Sequence, residues 1–149
     1  MDDRSSTRAG DSMSFDLRTM GKPVYEALAE LRHEQEQNQR DESKRKERLK
    51  EQKNQAVELY TYLATWGLLR LKAEEKALGQ EGKKDVVKAF FQCLQEISGQ
   101  PKLADAQGLK QLIDLDADEY LGLTGLALSL AQEFSFWANA VYYDIKGEG

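Results

Sequence analysis

The strongest pattern in this sequence lies in residues 118–145, which read DEYLGLTGLALSLAQEFSFWANAVYYDI. Apolar residues recur there in steps of three and four, the spacing that places side chains on one face of an α-helix. Asp116 or Asp118 can cap this helix, and Glu119, three residues after Asp116, stands at the spacing of a capping box. The predicted buried face consists of Tyr120, Leu123, Ala127, Leu130, Ala131, Phe134, Trp137, Ala138, Val141 and Ile145.

Two further helical patterns precede this one. From Ala56 to about Leu78, apolar residues occupy two faces of a predicted helix, which is typical of a central helix. A second apolar stripe ends at the stop signals Gly99 and Pro101, so the two segments predict a helical hairpin. Its members are Val86, Val87, Phe90, Phe91, Leu94 and Ile97.

The N-terminal third of the chain is polar. Residues 1–19 are rich in Ser, Asp and Arg, which predicts a flexible tail before a single domain of residues 20–149. Pro23 suits a first helical turn, so a helix is expected to begin near Lys22. Between Arg32 and Gln55 only Leu49 is a large apolar residue. We therefore predict an all-α, compact bundle of about five helices, with a long polar connection or helix extension between the first and second.

Composition indicates a soluble protein that remains in the cytoplasm. Hydrophobic residues make up 40% of the chain and charged residues 32%, and the longest apolar stretch, Tyr120 to Ala131, is too short for a membrane span. The N-terminus lacks the apolar core of a secretory signal. Cys93 is the single cysteine, so no internal disulfide can form.

Charge is distributed unevenly, although the net charge is −5. Residues 40–53 contain seven basic and four acidic side chains, a net charge of +3. Residues 102–149 contain three basic and eight acidic side chains, a net charge of −5. The chain is therefore electrically polarised along its length. The basic run can contact nucleic acid or can simply form a solvated helix face.

The residue inventory argues against an enzyme and against a bound metal or cofactor. The single histidine, His33, lies far in sequence from Cys93, which is predicted to pack in an apolar stripe. Asp114, Asp116 and Asp118 have the spacing that opens a calcium loop, but Glu119 stands where that loop needs glycine. Capping and the helix dipole explain these carboxylates without a metal ion.

No phosphate-binding glycine motif is present in the sequence. Gly122 and Gly125 lie inside a helical pattern and are predicted to permit the close approach of another helix.

Two stretches of the sequence resemble the small subunit of type III CRISPR effector complexes, especially the type III-B form. The first comprises Leu59-Tyr60 followed by Gly67-Leu68-Leu69. The second comprises Tyr120, Thr124, Ala127-Leu128-Ser129-Leu130 and Trp137-Ala138-Asn139-Ala140. Together they cover roughly residues 56–143. The resemblance implies a non-catalytic, all-helical subunit that packs head-to-tail with copies of itself and with other effector subunits, along a guide RNA paired with its target RNA.

This chain departs from the family pattern at Ser135-Phe136, where family members often carry a basic pair. We therefore expect the contacts with the RNA backbone to lie in the basic run and just after it. The predicted RNA-backbone-binding residues are Lys44, Arg45, Lys46, Arg48, Lys50, Lys53, Arg70 and Lys72. Such contacts orient a strand without reading its bases.

The main alternative is an unrelated helical adaptor for protein interaction or oligomerisation, whose basic segment is only a soluble arm. A DNA-binding regulator would need a basic recognition helix, and the final helix has only Lys146 at its end. An enzyme is a third class, for which no motif speaks.

Overall fold

Residues 17–146 are described by a computed structural model, and they form six α-helices and no strand. The helices are α1 (Leu17–Asn38), α2 (Glu42–Trp66), α3 (Leu68–Ala77), α4 (Glu81–Ser98), α5 (Gly108–Asp114) and α6 (Ala117–Val141). The predicted all-α bundle is confirmed. None of the described helices is both long and apolar enough to cross a membrane.

The final helix, α6, packs along α2 and α1, and α2 packs in turn on α4. Seven of the ten residues predicted for its inner face are buried, and the other three are partly buried against the core. The Phe90 and Phe134 rings meet edge to face, with 5.6 Å between their centroids. The Asp116 side chain caps the helix by accepting a hydrogen bond from the Glu119 amide N–H. The Glu119 side chain in turn accepts one from the Asp116 amide N–H. The predicted capping box is confirmed.

Most of the segment between Arg32 and Gln55 is helical, so the first two helices extend into it and only residues 39–41 connect them. Helix α1 continues to Asn38, and α2 begins after a turn of three residues. Asp41 caps α2 by accepting hydrogen bonds from the amide groups of Ser43 and Lys44, at 3.0 and 3.2 Å. Although few of its residues are apolar, this part of α2 buries Leu49 and Gln52 against the rest of the bundle.

The predicted start of the first helix is wrong. Helix α1 already includes Leu17, and Pro23 lies inside it rather than in its first turn. Proline is a poor guide to the helix start here because the buried residues Met20 and Val24 hold this end of α1 on the core. Of the predicted tail, residues 17–19 are helical, and residues 1–16 lie outside the part of the chain that the structure describes.

Three glycines also differ from what the sequence predicted. The helix predicted from Ala56 to about Leu78 is broken at Gly67, whose φ of 92° and ψ of 167° end α2 and begin α3. The prediction that Gly122 and Gly125 admit a neighbouring helix is wrong within the described residues, because a Cβ at either position would meet no atom within 4 Å. Both glycines face outward on α6.

Candidate nucleic-acid interface

The predicted RNA-contacting residues fall into an outward-facing group and a group that is bound within the fold. Lys44, Lys46 and Lys50 are exposed on the first half of α2. Lys46 lies 3.6 Å from the Glu42 carboxylate, an exposed pair that solvent screens. Among the described residues, Lys44 and Lys50 have no carboxylate partner. These three ammonium groups are therefore available to an anionic ligand.

Lys46 and Lys50 line a surface groove of about 400 Å³ together with Lys83 at the start of α4. We call this cleft the basic groove. Glu47 and Glu51 also line it, so its three lysines leave a net charge of +1. Glu51, on the same groove, accepts a hydrogen bond from the Gly82 amide N–H at 2.9 Å, which ties the start of α4 to α2. Lys83 was not predicted from the sequence. The only signal for it was the Lys83-Lys84 pair, which gives no indication of a position beside α2.

Arg48 contributes to a partly buried polar network between α2 and α4. Its guanidinium forms two bonds of 2.8 Å with the Asp85 carboxylate on α4. The Gln52 amide donates to the same carboxylate at 2.9 Å, and the Tyr142 hydroxyl donates to Gln52 Oε1 at 2.7 Å. Gln52 and Tyr142 are buried, and burial raises the pKa of the Tyr142 hydroxyl. Arg48 therefore stabilises the packing of α2 on α4.

Arg45 and Lys53 bind backbone carbonyl groups of this same chain. The Arg45 guanidinium donates to the Gln39 carbonyl oxygen at 3.1 Å, across the turn between α1 and α2. The Lys53 ammonium donates to the carbonyl oxygen of Ile145, beyond the end of α6. Both cations donate hydrogen bonds to carbonyl oxygens near helix ends. An RNA phosphate would therefore have to compete with these carbonyl oxygens for Arg45 and Lys53.

Lys72 is buried and Arg70 is exposed, although both lie on α3. The Lys72 ammonium lies 2.8 Å from Glu75 and 4.8 Å from the centroid of the Phe91 ring. The Arg70 guanidinium stacks on the Trp66 indole, with 4.2 Å to the ring centroid. Arg70 can still present its outer edge to a ligand, whereas Lys72 is occupied within the fold.

None of the exposed residues of α6 between Leu121 and Ala140 is charged, and the partly exposed Glu133 carboxylate accepts a hydrogen bond from the Trp137 indole N–H. We call the surface that these exposed residues form the open face of α6. Its residues recur in steps of three and four, so they form one stripe over about five turns of helix. The exposed members are Leu121, Gly122, Gly125, Ser129, Gln132, Phe136, Asn139 and Ala140. Leu121 and Phe136 are 71% and 64% exposed, which is high for large apolar side chains.

The candidate catalytic and metal-binding residues lie apart from one another or have structural partners. His33 is exposed on α1, whereas Cys93 is buried in α4, as predicted, and burial raises the pKa of its thiol to about 11. Asp114 pairs with Lys110 at 2.8 Å, and Asp116 caps α6. Across residues 17–146, no three His, Cys, Asp or Glu side chains are grouped to hold a metal ion.

Comparison with known proteins adds no relative to this picture: no protein-family model, no curated protein and no solved structure matches the chain.

Proposed function

We propose that this protein is a non-catalytic, RNA-backbone-binding small subunit of a type III CRISPR effector complex, located in the cytoplasm. The observation that carries the proposal is the basic groove, a cleft of about 400 Å³ where two lysines of α2 and one of α4 outnumber the carboxylates of Glu47 and Glu51. Lysine ammonium groups bind phosphate as point charges and make no base-specific contacts. The groove therefore suits a guide or target strand whose sequence varies.

The RNA contact is proposed for the outward-facing lysines first. Lys44, Lys46 and Lys50 extend from α2 into solvent, and Lys83 joins two of them in the basic groove. Arg70, on its Trp66 platform, can assist from α3. Arg48 and Lys72 have bonded carboxylates inside the fold, so their role is proposed to be the support of α2 and α3.

The open face of α6 is the proposed contact with copies of this chain and with the other effector subunits. Leu121 and Phe136, at 71% and 64% exposed, are the large apolar side chains that such a contact would cover. The basic groove contains none of the residues of this face, so one copy can hold RNA and neighbouring subunits at the same time. Head-to-tail assembly joins two different patches of the same chain, and the open face of α6 is proposed as one of them.

The second candidate function is a helical adaptor unrelated to CRISPR systems. The open face of α6 favours it as much as it favours the effector subunit, because both need a surface for protein contact. The two functions differ in what they require of the basic groove. An adaptor has no need of its three lysines, whereas the effector subunit uses them to hold RNA.

The test is to neutralise the basic groove in the assembled complex with Lys46→Gln, Lys50→Gln and Lys83→Gln. If each lysine neutralises one phosphate, the slope of log affinity against log salt should become shallower by about 2 for each copy of the chain that contacts single-stranded RNA. Affinity at low salt should fall for every RNA sequence alike. The measurement is RNA binding at several salt concentrations.

The matched control replaces three exposed lysines on other elements, with Lys22→Gln, Lys110→Gln and Lys146→Gln. It changes the net charge of the chain by the same amount and should leave the salt slope as it is in the unmodified complex. Equal binding by the groove variant and the unmodified complex would refute the proposed RNA contact.

A further inference from the structure

A second concave site, separate from the basic groove, lies between α3, α4 and the loop of residues 99–107. Its volume is about 400 Å³, within the range of about 300–1,000 Å³ that is usual for small-molecule sites. We call it the lysine cavity. It is lined by Lys72, Ala73, Glu75, Lys76, Lys84, Lys88, Ala104, Asp105, Ala106 and Leu109.

The walls of the lysine cavity are fixed by contacts within the fold. Leu103 is fully buried and anchors the loop. The Ala104 amide N–H donates to Gln95 Oε1 on α4 at 3.0 Å, which holds the loop beside α4. Gly108 has no room for a Cβ, because the Lys72 side chain and the Leu103 carbonyl oxygen occupy that space. The cavity is therefore formed before any ligand arrives.

The charges that line the cavity do not cancel. Four lysines face two carboxylates, and Lys72 and Glu75 already neutralise each other at 2.8 Å. Asp105 accepts a hydrogen bond from the Gln107 amide N–H at 2.8 Å and is the single remaining carboxylate of the lining. Within the described part of the chain, Lys76, Lys84 and Lys88 have no ion-pair partner.

Lys84 and Lys88 are four residues apart on α4, a spacing at which like charges repel. Lys76 adds a third ammonium group from α3. A concave wall concentrates the field of such charges and raises the local concentration of anions. Apart from Asp105 and the paired Lys72 and Glu75, the remaining lining is apolar, and it offers Ala73, Ala104 and Leu109 to an uncharged part of the same ligand.

We propose that the lysine cavity binds the terminal phosphate of a nucleotide, held by Lys76, Lys84 and Lys88. The sugar and base then lie against Ala73, Ala104 and Leu109. Two sources offer this phosphomonoester: a free mononucleotide and the 5′ end of an RNA strand. The site does not depend on RNA binding at the basic groove, because it uses different lysines and different helices.

The experiment follows backbone amide signals of the full-length chain by NMR. AMP should shift the signals of Ala73, Ala104, Ala106 and Leu109 in a saturable manner, and adenosine, which lacks the phosphate, should not. A short RNA with a 5′ phosphate is compared with the same RNA ending in a 5′ hydroxyl. Shifts that require the 5′ phosphate assign the ligand to an RNA end, and shifts with AMP alone assign it to a free nucleotide.

The variant Lys76→Gln, Lys84→Gln, Lys88→Gln should bind the phosphate at least about tenfold more weakly, since each partly exposed charge pair contributes modestly. The variant Ala73→Leu narrows the cavity without changing its charge and should also weaken binding. The Lys22, Lys110 and Lys146 control should bind as the unmodified chain does. Three results would overturn the proposal. The first is signal shifts that persist in both cavity variants, and the second is equal shifts with adenosine. The third is the absence of shifts with AMP and with 5′-phosphorylated RNA.

Discussion

Two residues apart on α2, Arg48 bonds to Asp85 within the bundle while Lys50 extends into solvent. The sequence presents both as members of one basic run. They could not be separated in advance, because Asp85 lies 37 positions away and nothing local marks it as the partner of Arg48. Lys53 and Lys72 were included in the predicted site for the same reason, and both have partners within the chain.

At the residue scale, the Gln52 and Tyr142 pair should be energetically coupled. Tyr142→Phe leaves the buried side-chain oxygen of Gln52, Oε1, without its hydrogen-bond donor. This substitution should lower the free energy of unfolding by about 1–3 kcal/mol. Gln52→Leu removes the acceptor of the Tyr142 hydroxyl and one donor to Asp85. The measurement is urea unfolding of both single variants and the double variant.

Each single substitution already breaks the hydrogen bond between Tyr142 and Gln52. The free energy of unfolding should therefore fall less in the double variant than the sum of the two single losses. The expected coupling is about 0.5–3 kcal/mol. Losses that add to within about 0.3 kcal/mol would contradict the network that joins Tyr142 to α2.

Arg32 should stabilise the junction between α1 and the end of α6 in a pH-dependent manner. Its guanidinium bonds both oxygens of Asp144, at 2.6 and 2.9 Å, and the Val141 carbonyl oxygen at 2.7 Å. The hydrogen bonds from Arg32 hold the pKa of the Asp144 carboxyl below its ordinary value. Since Asp144 is largely exposed, Arg32→Met should lower the free energy of unfolding by only about 1–2 kcal/mol at neutral pH.

The sign of the pH effect follows from the lowered pKa of Asp144. The stabilisation is complete above the ordinary aspartate pKa of about 3.9, and it disappears as the pH falls through the lower pKa of the folded state. Unfolding of the Arg32→Met and unmodified chains should therefore be compared from pH 7 downwards. The difference in free energy of unfolding between these two chains should narrow in acid. When both chains also carry Asp144→Asn, this difference should depend less on pH. A gap that widens in acid would contradict the assigned ion pair.

At the scale of helices, the glycines of α4 and α6 should respond to alanine in opposite directions. Gly122→Ala on the open face meets no neighbour, so it should raise the free energy of unfolding by about 0.5–1 kcal/mol. Gly82→Ala on α4 would press on the Arg48 carbonyl oxygen and the Glu51 side chain, and it should lower stability by about 1–3 kcal/mol.

The free energy of unfolding of both glycine variants is measured with urea on the isolated chain. Because both replace a helical glycine with alanine, the difference between them reports the effect of neighbouring atoms rather than helix propensity. Destabilisation by Gly122→Ala would show that the open face of α6 is covered within the isolated chain. Such a result would remove the structural support for a protein contact there.

The helices could be predicted from sequence where one apolar stripe continues without interruption. Helix α6 and the stripe of α4 are in this class, because burial on one face imposes steps of three and four. The break at Gly67 could not be predicted, since apolar residues continue at helical spacing on both sides of it. The polar half of α2 showed no clear apolar pattern in the sequence. Only Leu49 and Gln52 of this half are buried against the bundle, and two residues are too few to form a recognisable stripe.

The same limit applies to the candidate sites. The basic run predicted a cationic surface, but the bundle brings Lys83 to this surface and Lys84 to the lysine cavity, although the two residues are adjacent in sequence. Likewise, the sequence pattern of α6 showed its buried stripe clearly. Its exposed stripe became visible only once the inner face was assigned, because Leu121 and Phe136 are as apolar as the core residues.

At the scale of the whole molecule, the charged and uncharged surfaces are separated. The basic groove lies between α2 and α4, and α6 presents its uncharged face elsewhere on the bundle. The net charge of −5 does not oppose this arrangement, because a phosphate responds to nearby charges within about 10 Å at moderate salt. An isolated chain is expected to bind RNA weakly, and the assembled complex to bind it through several copies.

We propose that this chain works as part of a ribonucleoprotein, and the decisive measurement is purification of the tagged protein from its native host at low salt. We expect a guide RNA and larger CRISPR effector subunits to be recovered together with the chain. Recovery of the chain alone would refute the proposal. Recovery of protein partners without RNA or CRISPR subunits would also refute it and would favour the adaptor function.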